Sequence, residues 1–244
     1  MFDKNKVKIT KSFDESEYME VRPEEIEKES FAIITRELHN RKIRISYENA
    51  PVILRCIHTS ADFDYAGNLR FSKNVIALAN EALLAGSKII TDTRMGYSGI
   101  NRAAVKNSGS ELHCDMDDPE VAAEARLRGL SRAAVSMERA CEETLLLQQK
   151  EDLKPYIFAI GNAPAALLAL DALMNENENF RPALVIAAPA GFVNVVYAKE
   201  TIQDTMDRLR IPYILASGCK GGSSIAAAIV NALLFQVKNQ ISKK

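Results

Sequence analysis

Only three histidines, His39, His58 and His113, occur in the 244 residues. Each is a candidate for a group whose charge changes near neutral pH. His58 lies in the run richest in chemically able side chains, RCIHTSADFDYAGNLRFS at 55–72, which also carries Arg55, Cys56, Asp62, Asp64 and Arg70. Several chemistries compete for it. A metal site would recruit Asp62 and Asp64, but no cysteine pair stands nearby and the other histidines belong to other elements. A Ser–His–Asp hydrolase would need a nucleophile elbow. GYSGI at 96–100 has the first glycine and the serine, but isoleucine replaces the closing glycine. Two readings remain open: a buried histidine without chemistry, and a proton-transfer residue at the carboxyl end of a strand.

Three further stretches could hold a ligand. SGCKGGSS at 217–224 follows an apolar run and opens a helical one. Its glycines admit close approach of the backbone, and the helix start offers free N–H groups to a carboxylate or phosphate. Its lysine precedes the last glycines, so it is not a P-loop, and it lacks the GxGxxG order of a dinucleotide turn. An anion cradle with Lys220 is favoured over a turn shaped only by packing. IGNAP at 160–164 places Asn162 as a helix cap and Pro164 in the first turn. APAGFVN at 188–194 flanks Phe192 with small residues, which suits either a flat apolar ligand or the core.

These residues need a frame. Short apolar runs are expected as strands at 52–57 (VILRCI), 88–91, 111–114, 156–160, 183–188 and 213–217, with helical segments between them. One such helix has Ser72 as its expected cap and Gly86 as its stop. The alternation predicts an α/β fold in three layers, a mainly parallel sheet with helices on both faces. Ligands of such folds bind beyond the carboxyl ends of the strands. A polar lead-in is expected over 1–22 and a single domain over 23–244. A first helix covers RPEEIEKESFAIITRELHN, with Ile26, Ser30, Ile33, Ile34 and Leu38 on one face. Ser30 breaks that apolar stripe, either as a small residue at a tight contact or as a hydroxyl aimed at a ligand. The alanine-rich last helix is expected in a tight interface with the sheet or another subunit.

Composition narrows the function. The chain is 47% hydrophobic, with no tryptophan and a net charge of −1. No global basic field points to nucleic acid, and no apolar run reaches the roughly 20 residues of a membrane span. Four dispersed cysteines without a CxxC pair argue against zinc and against a disulfide framework. The N-terminus has no apolar signal region. A cytoplasmic protein is expected.

Taken together and in order, HTSADFDYAGNLRFS, TDTRMGYSGINR, AIGNAPAALLAL, GFVNVVYAKE and KGGSSIAAAIVNALL resemble the precorrin-8X methylmutase family, over about residues 23–235. The resemblance implies an isomerase of cobalamin biosynthesis that moves a methyl group from C11 to C12 of a corrin precursor. It implies no external methyl donor, nucleotide, redox cofactor or resident metal; cobalt enters only within the substrate. It also implies a homodimer whose pocket lies at or near the subunit interface. By the family's R-x-x-H pattern, His58 matches the catalytic histidine and Arg55 a substrate contact; Ser30 matches a second contact on the first helix. The substrate is an apolar macrocycle rimmed by carboxylates, so arginines and lysines beyond strand ends should meet it. Arg55, Arg70, Arg94, Arg102, Lys199 and Lys220 are the candidates, with Arg94 and Lys220 singled out beside Arg55. Two rivals remain: a tetrapyrrole carrier without catalysis, and a phosphate- or nucleotide-binding enzyme built on SGCKGGSS.

Overall fold

The computed structural model describes Arg22, residues 25–148 and residues 154–241. The lead-in, save Arg22, and Pro23 and Glu24 of the expected first helix lie outside the described residues. Six strands form one sheet in the order β1-β6-β5-β4-β2-β3. They are β1 (Leu69–Phe71), β2 (Lys88–Thr91), β3 (Glu111–His113), β4 (Tyr156–Ile160), β5 (Leu184–Ala187) and β6 (Tyr213–Ala216). All pairs are parallel except β1 with β6. This is the expected α/β architecture.

The central strands are apolar without alternation because both faces are covered. In β4, Tyr156, Phe158 and Ile160 enter one core while Ile157 and Ala159 enter the other. β5 and β6 divide their residues the same way, as the two-residue period of a strand requires. On one face α11 (Ser223–Ile241) packs against α2 (Ala50–Ser60), α4 (Val75–Leu84), α5 (Arg94–Gly99) and α6 (Arg102–Asn107). α9 (Pro164–Glu176) lies between α8 (Arg132–Gln148) and α10 (Val195–Leu209) in the other layer. Ile225, Ile229, Val230, Leu233, Leu234 and Val237 of α11 are all buried, and burying side chains of this size contributes about 1.5–3 kcal/mol each. The last helix is thus packed within its own fold.

One expectation fails in a way that matters. VILRCI is not a strand but the middle of α2. Val52, Ile53, Cys56 and Ile57 are buried, a spacing of one and four that follows a helix face rather than a pleat. Pro51 opens the helix, and Ala61 ends it in the left-handed region at φ 54°. His58 therefore sits in the last turn of a helix. The sixth strand is instead β1, three residues with the exposed Arg70 at its centre, at the sheet edge. α7 (Pro119–Arg128) and the short α3 (Tyr65–Asn68), α5 and α6 also fall where no helix was expected.

Smaller corrections concern caps. Asn74, not Ser72, precedes α4, while the Ser72 hydroxyl accepts from the Tyr213 N–H at 2.9 Å and so ties β1 to β6. Gly86 does end α4, at φ 81°. Ala163, not Asn162, precedes α9, though Pro164 does stand in its first turn. On α1 (Ile26–Asn40), Ile34 and Leu38 are buried but Ile26 and Ile33 are exposed, so the buried stripe is narrower than the sequence suggested.

Candidate active site

α1 packs against α2 and brings Phe31 to the face that carries Arg55 and His58. Arg55 and His58 are three residues apart on one helix, so their side chains are neighbours. The His58 imidazole is exposed and meets the Phe31 ring edge-on, with centroids 5.6 Å apart. The Arg55 guanidinium lies over Phe31 at 5.3 Å and over Phe235 of α11 at 4.7 Å, and it pairs with Glu27. Its side chain is only 13% exposed. Two rings and a carboxylate therefore hold a cation whose planar fork suits carboxylates. Ser30 is half-buried one residue before Phe31. Arg55, Phe31, Glu27 and Phe235 line a hollow of about 380 Å³, and Phe31 is shared with a neighbouring groove of about 840 Å³. Between Arg55 and His58, the Cys56 thiol is buried and its pKa is pushed up to about 12 by that burial, which keeps it protonated.

The chain after His58 is stitched to the turn between β6 and α11. Lys220 Nζ donates to Asp62 Oδ2 at 2.6 Å and to Asp64 Oδ2 at 2.5 Å. Asn68 Nδ2 donates to the Ser217 carbonyl at 2.6 Å, and the Ser217 N–H to the Asn68 carbonyl at 3.1 Å. The cradle expected at SGCKGGSS thus already spends its lysine on two aspartates, which raise the Lys220 pKa; Lys220 in turn lowers that of Asp62. The turn needs its glycines. Gly221 has φ 155°, and a Cβ there would fall 2.2 Å from the Ala188 carbonyl oxygen. Beneath the turn, the buried Lys199 donates to the Gly218 and Lys220 carbonyls, both at 2.8 Å. Lys199 stands on the second turn of α10, so it does not reach out to a ligand as expected. Phe192, beside the turn, is 91% exposed, which overturns a core role.

The turn between β4 and α9 is different. β2 and β4 are neighbours in the sheet, but the chain leaves β2 for β3 on its other side. Such a reversal opens the crevice where α/β folds bind ligands. Here Asp92 fills it. Its carboxylate is buried and accepts the N–H groups of Gly161, Asn162 and Ala163 at 2.9, 2.8 and 2.7 Å. Burial raises its pKa against the three donors, which lower it. Asn162 contributes its backbone, not a side-chain cap.

Arg94 opens α5 at the end of β2. Its Nε pairs with Asp117 Oδ2 at 2.9 Å and its guanidinium lies over Tyr97, which Arg102 also approaches. Three strand spacings separate β2 from β6, roughly 14 Å, so Arg94 stands across the sheet from Lys220. Arg70 is exposed on β1. Ser98 lies within α5 and builds no elbow. His113 pairs with Glu111 on β3 and His39 ends α1. Among the described residues no three His, Cys, Asp or Glu side chains cluster as metal ligands, and no helix is long and apolar enough to cross a membrane.

The precorrin-8X methylmutase family model matches residues 25–236. The chain belongs to the precorrin-8X methylmutase family. It is 35% identical over 213 residues to the cobalt-precorrin-8 methylmutase of Priestia megaterium, covering 87% of this chain and 88% of that one. It is 34% identical over 208 residues to the precorrin-8X methylmutase of Pseudomonas aeruginosa, covering 85% and 93%. The crystal structure of the precorrin-8X methylmutase from Thermus thermophilus superposes with a TM-score of 0.74 at 32% identity, over 88% of this chain and 98% of that one.

Within this methylmutase, the structure sets Arg55 and His58 on one helix against Phe31, places Ser30 next to Phe31 on α1, and joins Lys220 to the segment after His58. It leaves Arg94 on the far side of the strand ends. Phe31 and Asp92 escaped the sequence reading as site-building residues, and Lys199, a candidate carboxylate contact there, instead donates to the Gly218 and Lys220 carbonyls. Phe31 sits beside Ser30 on the same helix, so its neighbourhood was legible. The partners of Asp92 lie 69 to 71 residues away, and nothing local to TDTR reveals them.

Proposed function

We propose that this methylmutase moves the methyl group from C11 to C12 of precorrin-8, or of its cobalt-bearing counterpart, with His58 as the acid and base. The enzyme is an isomerase of cobalamin biosynthesis. One observation carries the catalytic assignment: an exposed imidazole meets the ring of Phe31, which also carries the Arg55 guanidinium and lines a hollow with Arg55, Glu27 and Phe235.

His58 as the imidazolium donates a proton to the macrocycle near ring C. Electron density leaves the conjugated system, the methyl group migrates with its bonding electrons, and the proton returns to the imidazole. Nothing is gained or lost, so no external methyl donor or redox cofactor enters; cobalt, where present, arrives inside the substrate. Arg55 receives a carboxylate of the macrocycle rim, with Ser30 as a second polar contact. Lys220 and Arg94 meet carboxylates further out, and each must share its charge with aspartates that hold it now. The groove beside Phe31 is closed by a second copy of the chain, which makes the active form a homodimer. The enzyme works in the cytoplasm and needs neither nucleic acid nor membrane. At SGCKGGSS the lysine a phosphate would need is already paired with Asp62 and Asp64, which counts against the nucleotide-binding rival built on that turn.

Turnover of precorrin-8, followed by its ultraviolet–visible spectrum, tests the reading. A catalyst converts many equivalents per site, whereas a carrier stops at one. Positioned proton transfer is worth about 10²–10⁴ in rate, so His58→Asn should lose turnover by that factor and still bind product. A His58→Asn enzyme with near-normal kcat removes the imidazole from the mechanism.

A further inference from the structure

Among the described residues Lys199 is the only buried lysine or arginine, at 1% exposed. Burying a lysine is costly unless its N–H groups are used. Here Nζ donates to two carbonyls, Gly218 and Lys220, in a turn where Gly218, Gly221 and Gly222 all have positive φ. A turn so rich in glycine has many conformations open to it. Two bonds from one rigidly held amine select one of them. The same turn carries the Lys220 side chain to Asp62 and Asp64, four and six residues after His58. An unbroken series of contacts thus runs from α10 through the turn to the end of α2.

We propose that Lys199 is a positioning residue, which fixes the 218–220 backbone so that Lys220 grips Asp62 and Asp64 and holds the His58 end of α2 in its working place. A direct contact with substrate is excluded by burial, and so is attack by its amine on a carbonyl. Burial pulls its pKa down to about 8, opposed by the neighbouring Cys219. The two carbonyls match the two N–H groups that a neutral amine retains, so the clamp survives loss of the proton. The consequence for catalysis rests on the methylmutase reading; the ordering of the turn does not.

Hydrogen exchange and kinetics on Lys199→Met test both halves. Exchange of the 217–222 amides should quicken about tenfold, as local opening loses two hydrogen bonds, while the core strands keep their protection. kcat/KM on precorrin-8 should fall about tenfold, and in a Lys220→Met background the same change should cost less than about threefold, because the two residues act in series. Lys199→Gln, which keeps a two-proton donor, should recover part of both losses and serves if the methionine variant does not fold. Unchanged exchange at 217–222, or exchange raised evenly across the sheet, overturns the clamp. Independent, additive effects of Lys199→Met and Lys220→Met overturn the link to the site. Wild-type protein that fails to convert precorrin-8 refutes the assigned function instead, and exchange still decides the clamp.

Discussion

Two turns at the carboxyl edge of the sheet look alike in sequence and are built in opposite ways. Both follow an apolar strand, both open a helix, and both carry glycine. At β4–α9 an acid, Asp92, takes the three backbone N–H groups that would hold an anion. At β6–α11 an amine, Lys199, takes two carbonyls instead. The turns touch: a Cβ on Gly161 would lie 2.5 Å from Ser223 Cα. The lesson is that a helix start offers a ligand site only where the protein does not bring its own anion. The internal acid fills the crevice between β2 and β4, while the proposed site lies toward α2 and the β6 side.

Removing the internal anion should break this contrast most strongly. Asp92→Ala leaves three N–H groups without their acceptor, that of Gly161 buried and those of Asn162 and Ala163 part-buried; at about 1–3 kcal/mol each, a loss of about 4 kcal/mol is expected in urea denaturation. Formate should then restore part of the stability of the variant, at matched ionic strength, and do nothing for wild type. A variant as stable as wild type, or one indifferent to formate, would show that Asp92 does not plug the turn.

The second turn is best disturbed through its backbone. Gly221→Ala forces a Cβ onto the Ala188 carbonyl at φ 155°; strain and overpacking together should cost about 3 kcal/mol, read as a lower denaturation midpoint. Gly218→Ala, with φ 65° and open space around it, should cost only about 1 kcal/mol. Equal effects at the two glycines would mean that contact with β5 does not shape the turn.

The subtlest difference is in pH response. Folding pulls Lys199 down to about 8, whereas an unfolded lysine titrates near about 10.4. Between those values the unfolded chain binds the proton and the folded one has released it, so stability rises with pH. Wild type should therefore gain on Lys199→Met as pH climbs from about 8 to about 10.4, measured by denaturation at each pH. A constant gap between the two proteins would show that the amine is not desolvated by the turn.

Much of the frame was legible before any coordinates. β4, β5 and β6 are unbroken apolar runs of four or five residues, each set between longer helical segments, the pattern of a strand buried on both faces. α2 was not legible. Val52, Ile53 and Leu54 are types that favour strands, and six residues are too few to separate a pleat from a helix face. β1 was invisible because three residues around an arginine carry no periodicity, and only pairing with β6 makes them a strand. For the candidate site, Ser30, Arg55 and His58 could be named because the family resemblance matches them, Arg55 and His58 through its R-x-x-H pattern and Ser30 on the first helix.

The chain's own residue order thus determined the layered α/β class, the central strands, the family and the side chains able to move a proton or hold a carboxylate. Only the folded molecule decided that His58 ends a helix, that Asp92 closes one turn, that Lys199 braces the other, and that Lys220 bridges to Asp62 and Asp64. Helix faces and buried strands are written in near neighbours, whose spacing repeats every few residues. These contacts join residues 19 to 158 positions apart, and each depends on where the sheet order sets the two strand ends.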